Sequence, residues 1–329
     1  MAGESPALWL RIARESLWGT RSILKAGGMG LPMATLLLPL PVLPSRASAD
    51  TLLLFGSAVC FDLVGTLAND IADKEADRAV GKQRWIQDFP VAIGLVIVVS
   101  IAALGAIPAL LSPVPARTSA AYLCAILLGT GYSLPPLRAK ERGLWGPVCF
   151  ALCIVLCYVM LPWAWFGGAP MAPLLVGAAL FLDRWVNLHF HEIVDYARDR
   201  AQGQRTYAVL VGPVRARATL RLAVWAAIAA MLAVLGWIGF SLGAKWEAVI
   251  ALMAVCGAVV YARLGKSAGE LTQELPAVYL GLTFALWRIL PVLLLARLAL
   301  RLPGMWGITL VAVAVLLHDT LVYRRYRYR

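Results

Sequence analysis

The sequence predicts an all-α, polytopic membrane bundle containing a parallel internal duplication. Three observations carry that expectation. The 329 residues are 61% hydrophobic and 15% charged, with a mean hydropathy of +0.77, whereas soluble domains carry roughly 25% charged residues. Apolar segments close to the roughly 20 residues a helix needs to cross a hydrocarbon core of about 30 Å recur from end to end. Finally, one polar passage is written twice: NDIADKEADRAVGKQR at 69–84 and HEIVDYARDRAQGQRT at 191–206, offset by 122 positions, match Ile71 with Ile193, Asp73 with Asp195, Asp77 with Asp199, Arg78 with Arg200, Ala79 with Ala201 and Gly81 with Gly203.

Residues 1–26 carry Trp9, Arg11, Arg14, Trp18 and Arg21 among apolar positions, the pattern of an amphipathic helix lying at the interface. They lack a small-residue cleavage site after a single apolar core, so no signal peptide is read. Residues 27–329 form one integral-membrane domain, because no Gly/Ser linker or low-complexity tract divides them. Spans are expected near 27–44, 51–68, 90–112, 118–133, 144–166, 171–190, 219–242, 246–263, 276–299 and 304–322. The first contains Pro32, Pro39, Pro41 and Pro44, and proline removes a donor from the helical ladder, so a kinked or interfacial segment is expected there.

The net charge of +12 could suggest nucleic acid, but its distribution points to topology. Every second connection collects the basic residues, among them Lys74, Arg78, Lys82 and Arg84, then Arg138, Lys140 and Arg142, then Arg198, Arg200 and Arg205. The intervening connections hold Arg46, Arg117, Lys245, Arg297 and Arg301. Lysine and arginine stay on the cytoplasmic side, so both ends and both acidic passages are expected there, with an even number of crossings. The six cysteines all lie in apolar segments. Cys149, Cys153 and Cys157 share a helical stripe that could bind metal but reads more simply as small packing residues.

Asn69, Asp73 and Asp77 are spaced by four, as are Asp183, Asn187, His191, Asp195 and Asp199. Residues four apart share a helical face, so each passage extends a polar stripe from the end of a membrane helix. Two carboxylates about 4 Å apart repel by roughly 4 kcal/mol at an effective dielectric of 20, so a cation should share the site. Hard oxygen ligands suit Mg²⁺, which takes one or two carboxylates and completes its shell with water and substrate phosphate. The plainer alternative is that Asp73 and Asp77 only pair with Lys74, Arg78 or Lys82. Gly81 and Gly203 then mark helix ends. After the fourth span, GTGYSLPPLRAKERG at 129–143 presents Arg138, Lys140 and Arg142 behind Pro135 and Pro136, residue types that bind phosphate.

With these residues in view the sequence resembles the UbiA family of intramembrane prenyltransferases. N-x-x-x-D-x-x-x-D is met by Asn69, Asp73 and Asp77, the second motif D-x-x-x-D by Asp195 and Asp199, and Y-S-x-P-P-x-R-x-K-x-R-G by Tyr132, Ser133, Pro135, Pro136, Arg138, Lys140, Arg142 and Gly143. The resemblance implies a bundle, usually of nine transmembrane helices, around a central cavity that opens to lipid; the ten spans read above exceed that by one, so nine to ten are expected. It implies Mg²⁺ held by Asp73, Asp77, Asp195 and Asp199, with Asn69 completing the catalytic set. The substrate-binding set is then Tyr132, Arg138, Lys140, Lys82, Arg205 and His191. The expected reaction transfers a prenyl group from a polyprenyl diphosphate donor to a small lipophilic acceptor, aromatic or a quinone precursor, in membrane lipid, with the active-site loops on the cytoplasmic face of the cell inner membrane. Tyr132, Tyr158, Trp163, Trp185 and Tyr196 are candidates to stabilise an allylic cation. Two other readings stay open: a terpene cyclase on the same scaffold, needing no acceptor, and a secondary transporter whose acids carry ions.

Overall fold

The computed structural model describes residues 29–40, 44–79, 81, 84–168, 170–264 and 275–326, with backbone alone at 261–264 and 319–326. The interfacial segment expected at 1–26, and Lys82, lie outside the described residues. In chain order the helices are α1 Gly30–Leu37, α2 Ala47–Ala72, α3 Lys74–Ala79, α4 Val91–Leu110 and α5 Pro115–Ser133. They continue as α6 Trp145–Phe166, α7 Met171–Val194, α8 Tyr196–Ala201, α9 Tyr207–Val211, α10 Pro213–Ser241, α11 Lys245–Leu264, α12 Ala277–Arg301 and α13 Trp306–Tyr326. Among the described residues no strand forms; one isolated bridge joins Gly143 to Thr206.

Helices α2, α4, α6, α7, α10 and α12 are long and apolar enough to cross a membrane by length and composition. Helices α5, α11 and α13 lie where the sequence places the spans 118–133, 246–263 and 304–322. The 27–44 segment differs from its expected length: within the described residues it is the eight-residue α1. Its ladder stops before Pro39, which has no N–H to donate. Leu31 through Leu37 of α1 are all buried, and Gly30 comes so close to α12 that an added Cβ would sit 3.0 Å from Pro291 Cβ.

Neighbours in sequence are neighbours in space. Helix α2 packs on α4 and α5, α5 on α6, α6 on α7, α7 on α10, α10 on α11 and α12, and α12 on α13, which returns to α2 and closes the ring. The outward surface is apolar, as a hydrocarbon solvent demands. On α4, Val96, Val99, Leu104 and Leu110 are each more than half exposed. Two helices carry a π-helical turn, α6 at Leu156–Met160 and α12 at Ala285–Ile289. Such an extra residue re-aims side chains and is frequent at functional sites.

Candidate active site

The duplicated passage is also duplicated in shape. Helix α2 ends at Asp73, whose N–H donates to Asn69 O at 2.9 Å, and Asp77 N–H donates back to Asp73 O at 2.8 Å. Helix α7 ends at Asp195, whose N–H donates to His191 O at 2.9 Å, and Asp199 N–H donates to Asp195 O at 2.9 Å. A six-residue helix follows each, α3 and α8. Each is followed by a glycine in the left-handed region, Gly81 at φ +74° and Gly203 at φ +70°, which glycine adopts without a Cβ penalty. The unbroken four-residue hydrogen bonding keeps Asn69, Asp73 and Asp77 on one face, and His191, Asp195 and Asp199 on the other ladder's face.

Around the first ladder the described partners of the acids are not the adjacent Lys74 and Arg78. Lys74 Nζ donates to Phe89 O at 3.0 Å and Arg78 Nη2 to Gln87 O at 3.2 Å, so both turn to the connection at 84–90. Asp77 accepts from Gln87 Nε2 at 3.1 Å, and that buried amide also donates to Asp70 O at 2.9 Å. Asp73 is paired with Lys140, whose ammonium also donates to Asn69 Oδ1 at 3.2 Å. Ser133 Oγ donates to the same Oδ1 at 3.0 Å. Serine and lysine of the third motif thus close directly onto the asparagine and aspartate of the first.

The loop from α5 to α6 sorts its bases to opposite sides. Arg138 takes φ +39°, the one non-glycine with positive φ among the described residues, a conformation that costs energy for a side-chain-bearing residue. Lys140 then points to the acids. Arg138 pairs instead with Glu141 at 2.7 Å, and Arg142 Nη2 donates to Pro136 O at 2.9 Å. Arg138, Arg142 and Arg205 line an open depression of about 720 Å³ with Trp145 and Leu210. Of the basic side chains expected at the site, the described contacts bring Lys140 to the acids, whereas Arg138 and Arg205 stand at this neighbouring depression.

The second ladder carries its own cation. Arg198 Nη2 lies 2.7 Å from Asp195 Oδ2, and its Nε lies 3.8 Å from Asp199 Oδ1. Burial, then the charges of Asp195 and Glu192, push the Asp199 carboxyl up to about 6, against the pull of Arg198. Glu192 is 6% exposed and its Oε2 has no hydrogen-bond partner among the described residues. His191 is exposed. Tyr132, tilted on Phe150 at 5.8 Å, is within electrostatic range of both Glu192 and Asp73. The bridge between Gly143 and Thr206 joins the loops that follow the two halves. Both ladders therefore reach one end of the bundle and one neighbourhood.

The donor set is suited to a hard divalent cation. Carboxylates repel one another there, and Asp199 resists ionising beside Asp195 and Glu192, a cost that a bound cation removes. Among the described residues no three His, Cys, Asp or Glu side chains converge to hold a metal unaided. The cysteines are free thiols; Cys149, Cys153 and Cys157 are buried, and Cys149 Sγ donates to Leu128 O at 3.3 Å. Sequence reading did not single out Gln87, Arg198 or Glu192. Only Glu192 left a signal, since the 122-residue offset matches it with Asp70.

The class is defined by this architecture: a multi-pass, all-helical integral membrane protein with its acidic ladders and a lysine loop gathered at one end. The model of the UbiA prenyltransferase family matches residues 31–273, and the chain belongs to that family of enzymes. Among solved structures, a UbiA homologue from Archaeoglobus fulgidus bound to GPP and Mg²⁺ is 17% identical, with a TM-score of 0.62 over 92% of this chain and 98% of that one. The apo UbiA homologue from Aeropyrum pernix K1 is 15% identical, with a TM-score of 0.59 over 91% and 98%. A digeranylgeranylglyceryl phosphate synthase is 13% identical, with a TM-score of 0.57 over 93% and 98%. No curated protein matches by sequence.

Proposed function

We propose that this prenyltransferase moves a prenyl group from a polyprenyl diphosphate to a small lipophilic acceptor, aromatic or a quinone precursor, in a Mg²⁺-dependent reaction. The observation that carries this reading is the meeting of Lys140 with Asn69 and Asp73, an ammonium held at the mouth of one acidic ladder while the Gly143–Thr206 bridge joins its loop to the one that follows the second ladder. The Archaeoglobus fulgidus homologue is bound to GPP or DMAPP with Mg²⁺, which supports the same donor chemistry here.

In this reading Asp73, Asp77, Asp195 and Asp199 hold the cations. Mg²⁺ held there would supply positive charge to offset the negative charge that grows on the diphosphate as its carbon–oxygen bond breaks. Lys140 adds a point charge on the same oxygens, and Asn69, itself held by Ser133, accepts from that ammonium and keeps it in place. Gln87 fixes Asp77 and Arg198 fixes Asp195, so the carboxylates meet the donor already oriented. The prenyl chain lies among apolar walls that exclude water, which would otherwise capture the allylic cation. The acceptor's nucleophilic atom takes up that cation and then loses a proton. The active-site end faces the cytoplasm, by the distribution of lysine and arginine.

The test is pyrophosphate release from GPP by purified protein, with and without Mg²⁺. Asp73→Asn and Asp195→Asn are expected to lower turnover by at least about 10²-fold while leaving the thermal midpoint of the protein unchanged within error. Full activity in EDTA, or in both variants, would overturn the assignment.

A further inference from the structure

The loop between α5 and α6 gives Lys140 to the acids, while its two arginines, Arg138 and Arg142, line the open depression of about 720 Å³ together with Arg205 from the connection between α8 and α9. The two connections are fixed to one another. Gly143 bridges to Thr206, and a Cβ on Gly143, which takes φ +60°, would lie 3.0 Å from Leu210 Cδ1. The depression is therefore built by the packing of both connections.

Its guanidiniums keep donors to spare. Arg138 Nη2 pairs with Glu141 at 2.7 Å, but Arg138 Nε is buried with no hydrogen-bond partner among the described residues. Arg142 Nη2 donates to Pro136 O at 2.9 Å, which steadies the side chain and leaves its other N–H groups available. Arg205 is exposed, and among the described residues no hydrogen bond or ion pair engages it. Against these bases the lining sets one carboxylate, Glu141.

The depression stands where two membrane helices begin, α6 at Trp145 and α10 at Pro213. Trp145, 67% exposed, and Leu210 belong to its lining, and Leu137, Leu144 and Val214 close by in sequence are exposed as well. Tryptophan at the first turn of a spanning helix sits at headgroup level. Bases and apolar side chains thus meet at the depth where a lipid passes from phosphate to acyl chain. Topology requires only that bases collect at this end of the bundle; it does not require guanidiniums from two connections to line one depression with a tryptophan.

We propose that this depression binds the phosphodiester headgroup of an anionic phospholipid, with Arg138, Arg142 and Arg205 on the phosphate and Trp145 and Leu210 against the glycerol and the upper acyl chains. Basic pockets between membrane helices bind anionic headgroups, and the arginine fork matches phosphate oxygens. A zwitterionic lipid brings an ammonium of its own toward the guanidiniums, so the net charge of the lipid decides. The bound lipid ties the loop that carries Lys140 to the connection after the second ladder, reinforcing the Gly143–Thr206 bridge. Its binding needs neither prenyl donor nor Mg²⁺.

The test is native mass spectrometry of the purified full chain in detergent, titrated with dioctanoyl phosphatidylglycerol or dioctanoyl phosphatidylcholine. The anionic lipid is expected to bind about tenfold tighter, the size of one charge-assisted hydrogen bond, and equimolar inorganic phosphate should leave it bound. Arg142→Gln and Arg205→Gln, on separate connections, should each weaken phosphatidylglycerol about tenfold. Arg46→Gln, at the opposite end of α2, should change it by less than about twofold. Equal affinity for the two lipids, an unchanged affinity in either of the first two variants, or a loss from Arg46→Gln as large as theirs overturns the site. Displacement of the lipid by equimolar phosphate makes the ligand a soluble anion and overturns it too.

Discussion

Lys140 and Arg138 are two residues apart in one loop, yet the backbone reversal at Arg138 sends them to different work. Lys140 is 13% exposed and shared between Asn69 and Asp73, where a lost ammonium leaves the Asp73 carboxylate without its paired donor. Arg138 is a third exposed and paired locally with Glu141, an arrangement worth little. Lys140→Met is therefore expected to lower kcat/KM for GPP by at least about tenfold, and Arg138→Ala by about threefold or less, measured against an Arg215→Ala control. A larger loss from Arg138→Ala than from Lys140→Met would move the phosphate contact to the neighbouring depression. Asp199 follows the same logic of neighbours: its carboxyl is pushed up because Asp195 and Glu192 stand beside it, so it gains from a cation what it loses to them.

Helix ends explain three of the five basic residues that depart from the charge asymmetry. Arg117 donates to Ala164 O at 2.7 and 3.1 Å and lies over the Trp163 ring at 5.3 Å, at the end of α6. Arg297 donates to Gly243 O at 3.1 Å beyond α10 and pairs with Glu247 at 3.2 Å. Arg301 reaches Leu38 O at 3.1 Å and Leu40 O at 2.8 Å beyond α1. Each satisfies carbonyls that a helix C-terminus leaves open and complements its dipole. Arg117→Ala should cost about 1 kcal/mol, read as a thermal midpoint lower by about 2 °C with turnover at low temperature unchanged. The α2–α4 contact is tighter still. Ser57 Oγ donates to Gly105 O at 2.9 Å, and a Cβ on Gly105 would lie 2.1 Å from Tyr122 Oη and 2.6 Å from Cys60 Cβ. Gly105→Ala is expected to destabilise by about 1–3 kcal/mol, and adding Tyr122→Phe should recover only part, because the Cys60 clash stays.

At the scale of the whole molecule, the ring of helices brings α3 and α8 to the same end. Lys140 on Asp73 and the Gly143–Thr206 bridge both require it. In a cysteine-free background, Glu75→Cys and Gln202→Cys, both at exposed positions, should react together with a membrane-impermeant maleimide in inside-out vesicles and not in right-side-out ones. Labelling of the two from opposite sides would dissolve the shared site. The apolar outer surface of α4 and the acidic and basic groups inside the ring are one design: hydrocarbon solvates the first and cannot solvate the second.

The sequence by itself determined the membrane class and the duplicated ladder. Those features are periodic and local: apolar runs and four-residue spacing. Asn69, Asp73, Asp77, Asp195 and Asp199 were legible because their spacing alone puts each set on one helical face. Tertiary structure decided the rest. That Lys140 rather than Arg138 meets the acids goes with the positive φ at Arg138; that Gln87 braces Asp77 depends on how the 84–90 connection folds back; that Tyr158 donates to Asp62 depends on how the π turn of α6 sits against α2. Such contacts join residues distant in sequence, and no local spacing encodes them.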